Sequence, residues 1–230
     1  MNQELSQYIN DAKNIVIFTG AGISTESGIP DFRGPQGVWK TNTPIYFQDF
    51  IGSEEVRRES WKRKFSGKDI IKKADPNVGH FAVAEIINNH PSAYLITQNV
   101  DNLHQDAGVP DNKITEIHGN ASYASCLDCS KRYELKPIKE AFLKDGTIPY
   151  CDSCGGIIKT ATISFGQSMP EEGMQIAQRK SLTCDLFITI GTSLVVFPAA
   201  GFPKLAKDIG ANLIIINNAV SYTHLTLPTN

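Results

Sequence analysis

Four of the five cysteines stand in two Cys-x-x-Cys pairs, a spacing that is typical of a metal site. Each pair makes a turn that points two thiolates at one ion, and two such turns complete a tetrahedral zinc site. Residues 130–150 separate the pairs, slightly more than a zinc ribbon usually has. Because four thiolates leave no open coordination position, the pattern predicts one structural zinc ion. The predicted ligands are Cys126, Cys129, Cys151 and Cys154.

A second candidate for chemistry is the glycine turn at Gly20 and Gly22, which follows the apolar residues 15–18. Glycines at the end of a buried strand allow a ligand to approach the main chain closely. Main-chain N–H groups that precede a helix also suit a pyrophosphate. Thr25 replaces the third glycine of the usual dinucleotide fingerprint, so a plain strand-to-helix turn fits this stretch as well.

Further polar and small residues follow the apolar segments of the chain. The loop after the glycine turn combines an acid, an aromatic ring and a guanidinium, a set that folding alone rarely requires. Apolar runs at residues 93–97, 185–190 and 213–216 also end in polar or small residues. In open α/β sheets, ligands bind at the carboxyl ends of the strands. The candidate residues are Asp31, Phe32, Arg33, Gln98, Asn99, Val100, Asp101, Gly191, Thr192, Ser193, Asn217 and Asn218.

One histidine, His118, follows a short extended run at residues 114–117. Taken alone, His118 is more simply interpreted as a structural residue, but the neighbouring motifs favour a functional role. We interpret His80, His90 and His104 as structural residues that form local hydrogen bonds or end a helix.

The elements that must position these residues alternate between apolar strands and helices. Helical patterns cover residues 2–12, 54–73, 78–89, 169–182 and 198–209, and residues 160–165 are expected to be extended. This alternation predicts an α/β fold, a doubly wound parallel sheet of Rossmann-like type, with a smaller inserted zinc-ribbon domain. The predicted divisions are a discontinuous sheet domain at 1–120 and 160–220, a zinc module at 121–159 and a doubtful tail at 221–230.

Composition excludes several classes of function. Apolar residues make up 41% of the 230 residues, enough for a sizeable core, and the net charge of -2 gives no general attraction to nucleic acid or membrane. No apolar run could span a bilayer, and the first residues do not form a secretory signal. Paired cysteines of the zinc-binding type point to a reducing compartment, so we expect a cytoplasmic protein. We interpret the charged residues 54–73 mainly as a solvated helix face, and less readily as a basic rim around an acidic ligand.

Taken together, these motifs resemble the sirtuins, the NAD-dependent protein-lysine deacylases. The resemblance rests on the glycine turn with residues 28–33, on residues 97–104, and on residues 117–119. The two cysteine pairs, the Phe-Gly at 165–166 and residues 191–193 and 216–217 complete the set in the family's order.

The resemblance implies a cofactor site for NAD and a base. His118 would be the general base that activates a ribose hydroxyl, and the products would be free lysine, nicotinamide and O-acyl-ADP-ribose. The loop at 31–33 would cover the reacting ribose, residues 98–101 would hold the nicotinamide half, and residues 191–193 and 217 the adenosine half. The implied NAD-binding residues are Gly20, Ala21, Gly22, Ile23, Asp31, Phe32, Arg33, Trp39, Gln98, Asn99, Val100, Asp101, Gly191, Thr192, Ser193, Asn217 and Asn218.

The implied partners are acyl-lysine proteins or peptides. The peptide would add as a strand between residues 163–166 and the loop at 195–197. Thr160 and Gln167 depart from the family pattern near this cleft. The tyrosine of the Tyr-x-x-Arg motif that sirtuins specific for acidic acyl groups carry is absent from residues 61–64. We therefore expect acetyl rather than malonyl or succinyl removal.

Two other functions fit parts of the pattern. Protein mono-ADP-ribosyl transfer would use the same cofactor and break the same nicotinamide bond. A zinc ribbon alone would also fit a non-enzymatic binding module, but such a module needs no polar pocket at three strand ends. Since residues 221–230 do not continue the family pattern, we also expect weak NAD binding or marginal folding of the chain as written.

Overall fold

The computed structural model describes residues 3–32, 37–40, 43–66 and 74–218. The described strands are β1 (Ile15–Thr19), β2 (Tyr94–Thr97), β3 (Ile114–Glu116), β4 (Gly119–Cys126), β5 (Arg132–Glu134), β6 (Ile158–Thr162), β7 (Leu186–Ile190) and β8 (Asn212–Ile216). The larger sheet has five strands, all parallel, in the order β3-β2-β1-β7-β8. A smaller antiparallel sheet has the order β5-β4-β6.

Helices cover both faces of the larger sheet, and no described helix is both long and apolar enough to cross a membrane. The α-helices are α1 (Gln3–Asp11), α2 (Phe47–Gly52), α3 (Glu54–Phe65), α4 (Val78–Asn89), α5 (Leu103–Asp106), α6 (Leu135–Asp145), α7 (Glu171–Thr183) and α8 (Gly201–Asp208). Short 3-10 helices lie at Ala21–Ser27, Val38–Lys40 and Asp111–Lys113. The predicted α/β class and doubly wound parallel sheet are confirmed.

Strand β1 is the central strand of the larger sheet, and all five of its residues are buried. Its side chains alternate between two cores, as the pleat of a strand requires. Phe18 packs with Phe187 and Phe202 on one face, and Ile17 packs with Leu95 on the other. A strand covered on both faces reads as a continuous apolar run, which explains why the sequence signal for β1 was clear.

The order of the strands creates a crevice at the carboxyl edge of the larger sheet. From β1 the chain moves outward through β2 to β3, then returns to the other side of β1 at β7 and continues outward to β8. Crossovers therefore run in opposite directions from the central strand, and the change of direction falls between β1 and β7. This switch point is where doubly wound sheets bind their ligands.

The smaller sheet has its own core, which includes two cysteines of the predicted zinc site. Cys126 and Cys151 are buried there with Trp61 and Phe65 of helix α3. The rings of Trp61 and Phe65 stack with centroids 5.4 Å apart.

Most charged side chains of α3, such as those of Glu55 and Lys62, are exposed, as a solvated helix face requires. The opposite face of α3 packs Trp61 and Phe65 against the zinc-binding unit, which the charge pattern does not predict. Residues 67–73 lie outside the described residues.

Several predicted boundaries differ from the observed ones. The extended segment expected at 160–165 is strand Ile158–Thr162, and the chain turns at Gly166 with a positive φ of 79°. The helix expected from residue 198 begins at Gly201. Residues 219–230, including the doubtful tail, lie outside the described residues. The predicted division into domains stays a prediction, although the small sheet runs from Gly119 to Thr162.

Trp61 provides a test of the small core. Substitution Trp61→Ala should lower the free energy of unfolding by about 3–5 kcal/mol, since it removes a large side chain that is only 1% exposed. Urea unfolding followed by circular dichroism would measure this loss. Phe81→Ala is the matched control, because Phe81 is 52% exposed and its removal should cost less than about 1 kcal/mol. Equal losses for the two variants would contradict the assigned packing of α3.

Candidate functional site

The turns that follow β1 and β7 press directly against each other. The Gly22 N–H donates to the Gly191 carbonyl oxygen at 2.8 Å, and the Gly20 N–H donates to the Ile190 carbonyl at 3.0 Å. A Cβ atom on Gly22 would lie 2.7 Å from that same Gly191 oxygen, closer than any side chain can approach. Gly191 itself has a φ of 65°, and a Cβ there would lie 2.3 Å from the Ile23 nitrogen. Glycine is required on both sides because two backbones meet with no room between them.

Thr192 connects this contact to the strand ends on either side. Its hydroxyl accepts a hydrogen bond from the Gln98 side-chain amide at 2.9 Å. Its carbonyl accepts one from the Asn217 side-chain amide at 3.0 Å. Gln98 follows β2 and Asn217 follows β8, so one threonine after β7 links three loops along the carboxyl edge. The structure thus brings Gln98, Gly191, Thr192 and Asn217 together, as the sequence predicted for separate strand ends.

A buried polar network lies beside these loops and centres on Ser24. The Ser24 hydroxyl donates to the Asp101 carboxylate at 2.7 Å and accepts from the Asn99 side-chain amide at 3.2 Å. Ser24 is fully buried, and Asn99 and Asp101 are each more than nine-tenths buried. Burial of polar groups is costly unless they form hydrogen bonds, and here the three buried side chains are hydrogen-bonded to one another through Ser24.

His80 completes this network and also caps a helix. The main-chain N–H of Asn77 donates to His80 Nδ1 at 3.2 Å, so this nitrogen must be an acceptor. The proton of the neutral ring therefore sits on Nε2, which lies 3.3 Å from the Ser24 hydroxyl oxygen. Asn77 in turn accepts from the Gly79 N–H at 2.9 Å and forms the capping box of α4 with His80. His80 therefore helps to cap α4 and also contacts Ser24 of the buried network, and its interpretation as a structural residue stays a prediction.

His104 lies beneath the same site and is almost completely buried. Its Nε2 bonds to the hydroxyl of Thr19 at 2.9 Å, and the Thr19 hydroxyl donates to Thr97 at 2.8 Å. Because the Thr19 proton goes to Thr97, His104 must donate from Nε2. Burial, together with a smaller effect of the neighbouring His80 ring, lowers the pKa of His104 to about 3. The partner Thr19 is distant in the sequence, so the hydrogen bond of His104 is not the local one expected, and its structural interpretation stays a prediction. His90 ends α4, as predicted.

His118 occupies the turn between β3 and the small sheet. Its Nδ1 lies 3.1 Å from the main-chain carbonyl of Gln98, which can only accept, so Nδ1 carries the proton. The Nε2 lone pair is thereby left available, and no described residue forms a hydrogen bond with it. Burial lowers the pKa of His118 below its ordinary value, and the bond to the Gln98 carbonyl partly opposes this shift. A neutral imidazole with a fixed tautomer and an unoccupied basic nitrogen is equipped to accept a proton.

The residue after His118 anchors this histidine to the small sheet. Gly119 has a φ of 74°, and a Cβ there would lie 2.0 Å from the Ala161 carbonyl oxygen. The His118 carbonyl accepts from the Ile163 N–H at 2.8 Å. The backbone of residues 161–163 therefore packs directly against His118 and Gly119. Any side chain at position 119 would clash with it, so this contact requires a glycine there.

The remaining predicted site residues are placed as follows. The Asp31 carbonyl accepts from the Val38 N–H at 2.9 Å, which closes the loop that contains Phe32. Phe32 is 39% exposed. Ser193 is partly buried, Asn218 is exposed, and the Val100 carbonyl accepts from the Ala121 N–H at 2.8 Å. Ala21 and Ile23 begin the 3-10 helix after β1. Arg33 and the side chain of Trp39 lie outside the described residues.

Three residues of the buried network were not among the predicted site residues. Ser24, Thr19 and Asn77 are small or amide side chains of types that occur throughout any sequence. Ser24 lies two residues after Gly22, within the glycine-turn motif, and this is the signal that could have found it. Thr19 ends a buried strand and Asn77 caps a helix, and neither position by itself marks a site residue.

The four predicted zinc ligands come together in the small sheet. Their sulfur atoms all lie within 4.8 Å of one another. Cys126 Sγ lies 3.5 Å from Cys154 Sγ, and Cys129 Sγ lies 3.6 Å from Cys151 Sγ. Zinc–sulfur bonds of about 2.3 Å in a tetrahedron separate the sulfurs by about 3.8 Å, so the arrangement fits one zinc ion. Four thiolates leave no position for a substrate, which makes the site structural.

Comparison with known proteins agrees with this geometry. The Sir2 family profile matches residues 20–198. An NAD-dependent protein deacetylase of Rhodopseudomonas palustris is 50% identical over 215 residues, which cover 94% of this chain and 85% of the relative. NAD-dependent protein deacetylase 1 of Bradyrhizobium diazoefficiens is 52% identical over 215 residues, which cover 94% of this chain and 84% of the relative. The chain belongs to the Sir2 family, the sirtuins.

Solved structures show the same fold. A Sir2 homologue in complex with ADP-ribose superposes with a TM-score of 0.87 at 32% identity, covering 100% of this chain and 90% of the other. A Sir2 protein with a p53 peptide and NAD superposes with a TM-score of 0.81 at 33% identity, covering 96% and 88%. These likenesses extend over both sheets.

The buried histidine beneath the site predicts a pH dependence of stability. The pKa of His104 is about 3 in the folded protein and about 6.5 in an unfolded chain, so the unfolded state binds more protons between these values. The contribution of neutral His104 to the free energy of unfolding is therefore complete above pH 6.5 and is lost as the pH falls towards 3. Because of this residue, the free energy of unfolding should fall by roughly 2 kcal/mol between pH 7 and pH 5.

Urea unfolding of the wild type and of His104→Gln at pH 7 and pH 5 would measure this contribution to the free energy of unfolding. Glutamine carries its amide N–H at the position of the His104 Nε2, so it keeps a donor for Thr19 but does not titrate. The variant should therefore lose about 2 kcal/mol less than the wild type between the two pH values. Identical losses in both proteins would show that His104 does not titrate in this way.

Proposed function

We propose that this sirtuin removes acyl groups, principally acetyl, from lysine side chains of proteins. The overall reaction consumes acyl-lysine, NAD and water, and gives free lysine, nicotinamide and O-acyl-ADP-ribose. The observation that carries the proposal is His118, whose tautomer is fixed by the Gln98 carbonyl and whose Nε2 is available to accept a proton. The named activities of the bacterial relatives support the same reaction class.

The residues at the carboxyl edge fit NAD by their chemistry. The site offers a hydroxyl, a carboxylate and side-chain amides that are held within hydrogen-bond distance of one another, which suits riboses and a carboxamide. The close-packed glycine turns keep the crevice free of side chains where β1 and β7 meet. When bound, NAD supplies the ribose carbon to which the acyl oxygen becomes attached once nicotinamide leaves. The proposed contact residues are those predicted from the sequence, with Ser24 as an added support for Asn99 and Asp101.

His118 would act as the general base of the reaction. Its lowered pKa keeps the imidazole neutral at pH 7, so that Nε2 can take a proton from a ribose hydroxyl. The Gln98 carbonyl would stabilise the imidazolium that results, since it already accepts the Nδ1 proton. The Gln98 side chain donates to the Thr192 hydroxyl. This hydrogen bond would help to hold the proposed base close to the turn after β7.

Acyl-lysine peptides would bind between the two sheets. Phe165 and Phe197 are both exposed, Phe197 to 76%, at the two segments predicted to receive the peptide. The Phe165 carbonyl accepts from the Phe47 N–H at 2.9 Å, so α2 supports one side of this cleft. Sir2 proteins solved with a p53 peptide support a peptide substrate for this chain as well.

The base assignment can be tested directly. His118→Ala should lower the rate of O-acetyl-ADP-ribose formation from NAD and an acetyl-lysine peptide at least about 100-fold, since a positioned base contributes about 100- to 10,000-fold. Mass spectrometry would follow the product. His90→Ala is the matched control, because His90 precedes β2 at the opposite edge of the sheet and should leave the rate within about threefold of the wild type. A fully active His118→Ala variant would refute the assignment.

The same experiment separates deacylation from protein mono-ADP-ribosyl transfer. Deacylation gives acetyl-ADP-ribose and a lighter peptide, whereas the transferase reaction gives a protein or peptide that carries ADP-ribose. A non-enzymatic zinc-binding module would release no nicotinamide at all. We expect acetyl-ADP-ribose as the main product.

The acyl preference follows from the region around Trp61. This residue occupies the position comparable to the tyrosine that acid-specific sirtuins carry, and its ring is buried in the small core. We therefore expect deacetylation to exceed desuccinylation at least about tenfold in kcat/KM on matched peptides, a difference of about 1.4 kcal/mol. Faster desuccinylation would contradict this. A cytoplasmic location, proposed from the zinc-type cysteine pairs, is a separate expectation.

A further inference from the structure

Two side chains that follow the first cysteine pair reach across to the second pair. Lys131 Nζ donates to both carboxylate oxygens of Asp152, at 2.8 and 2.9 Å, and to the hydroxyl of Ser153 at 2.9 Å. Asp152 and Ser153 are the two residues enclosed by Cys151 and Cys154. The two turns of the metal site are therefore joined by side chains as well as by their four sulfurs.

Tyr133 of β5 makes the closer contact with the site. Its hydroxyl lies 3.1 Å from Cys151 Sγ and also approaches a carboxylate oxygen of Asp152. The same hydroxyl accepts the Asp152 main-chain N–H at 3.2 Å, so its oxygen is already held in place. Its ring packs against the small core with Trp61 and Phe65.

The single phenolic proton has two possible acceptors, Cys151 sulfur and Asp152 carboxylate. Lys131 already compensates the carboxylate through both of its oxygens. With zinc bound, four thiolates around one divalent ion leave a net negative charge that hydrogen-bond donors stabilise. A hydrogen bond from the Tyr133 hydroxyl therefore stabilises the Cys151 thiolate more than it stabilises the Asp152 carboxylate.

We propose that Tyr133 donates a hydrogen bond to the Cys151 thiolate and thereby sets how tightly the four-cysteine site retains zinc. Lys131 has a supporting role, because it occupies Asp152 and leaves the phenolic proton for the sulfur. The Lys131–Asp152 pair itself is exposed, with side chains 42% and 67% accessible, so its direct contribution is small. Hydrogen-bond partners of metal ligands typically change affinity 10- to 100-fold.

The test compares zinc retention by the zinc-loaded full chain and its variants. Tyr133→Phe keeps the ring in the core and removes only the hydroxyl, so it should weaken zinc affinity about tenfold in competition with a colorimetric chelator. In the cobalt-substituted protein, the sulfur-to-cobalt charge-transfer band should move to lower energy, since the thiolate loses a donor. Tyr123→Phe is the matched control on the neighbouring strand, where the Arg132 guanidinium lies over the ring at 3.9 Å. It should retain wild-type affinity.

A second variant distinguishes the two acceptors. Asp152→Asn removes the competing carboxylate and should leave zinc affinity within about twofold of the wild type. A tenfold loss in Asp152→Asn would make the carboxylate the essential partner and overturn the proposal. Wild-type affinity together with an unchanged cobalt spectrum in Tyr133→Phe would overturn it as well, as would an equal loss in Tyr123→Phe. Circular dichroism of each zinc-loaded variant confirms folding.

Discussion

The hydrogen bond from the Gly22 N–H to the Gly191 carbonyl is the contact on which the site depends. It joins the turns after two adjacent parallel strands at the point where the crossovers of the sheet diverge. The turns meet without side chains between them, so the next residue, Thr192, can link β2 and β8. Gln98 is held in this way, and its main-chain carbonyl orients His118. The close contact between the two backbones is therefore linked, through Thr192 and Gln98, to the orientation of the His118 ring.

The polar groups beneath the site are stabilised by mutual hydrogen bonds. Each hydrogen bond fixes the donor of the next one. The Asn77 N–H donates to His80, the other ring nitrogen of His80 donates to Ser24, and the Ser24 hydroxyl donates to Asp101. Such a network is costly if any member is unpaired, and it restricts each histidine to one tautomer. The same arrangement that fixes the geometry also keeps these rings neutral, because burial disfavours the charged form.

The zinc-binding unit and His118, the proposed general base, are parts of one continuous structure. His118 lies directly before β4, and β4 ends at the first zinc ligand, Cys126. Trp61 and Phe65 pack with two of the cysteines in the small core, and the Ile163 N–H, directly after β6, donates to the His118 carbonyl. The turn that carries His118 is therefore joined to the zinc-binding unit by hydrogen-bonded strands on both sides.

The sequence by itself determined the class of fold, the zinc ligands and the strand-end residues around the crevice. These depend on short-range signals, namely continuous apolar runs, paired cysteines and small or polar residues directly after a strand. Only the tertiary structure revealed Ser24, Thr19 and Asn77 as partners of the site, and the burial of α3 against the small sheet. Those contacts join residues far apart in the chain, and serine, threonine or asparagine looks the same in sequence whether it caps a helix or completes a network. Periodicity and spacing show which residues are near each other along an element, whereas packing decides which elements meet.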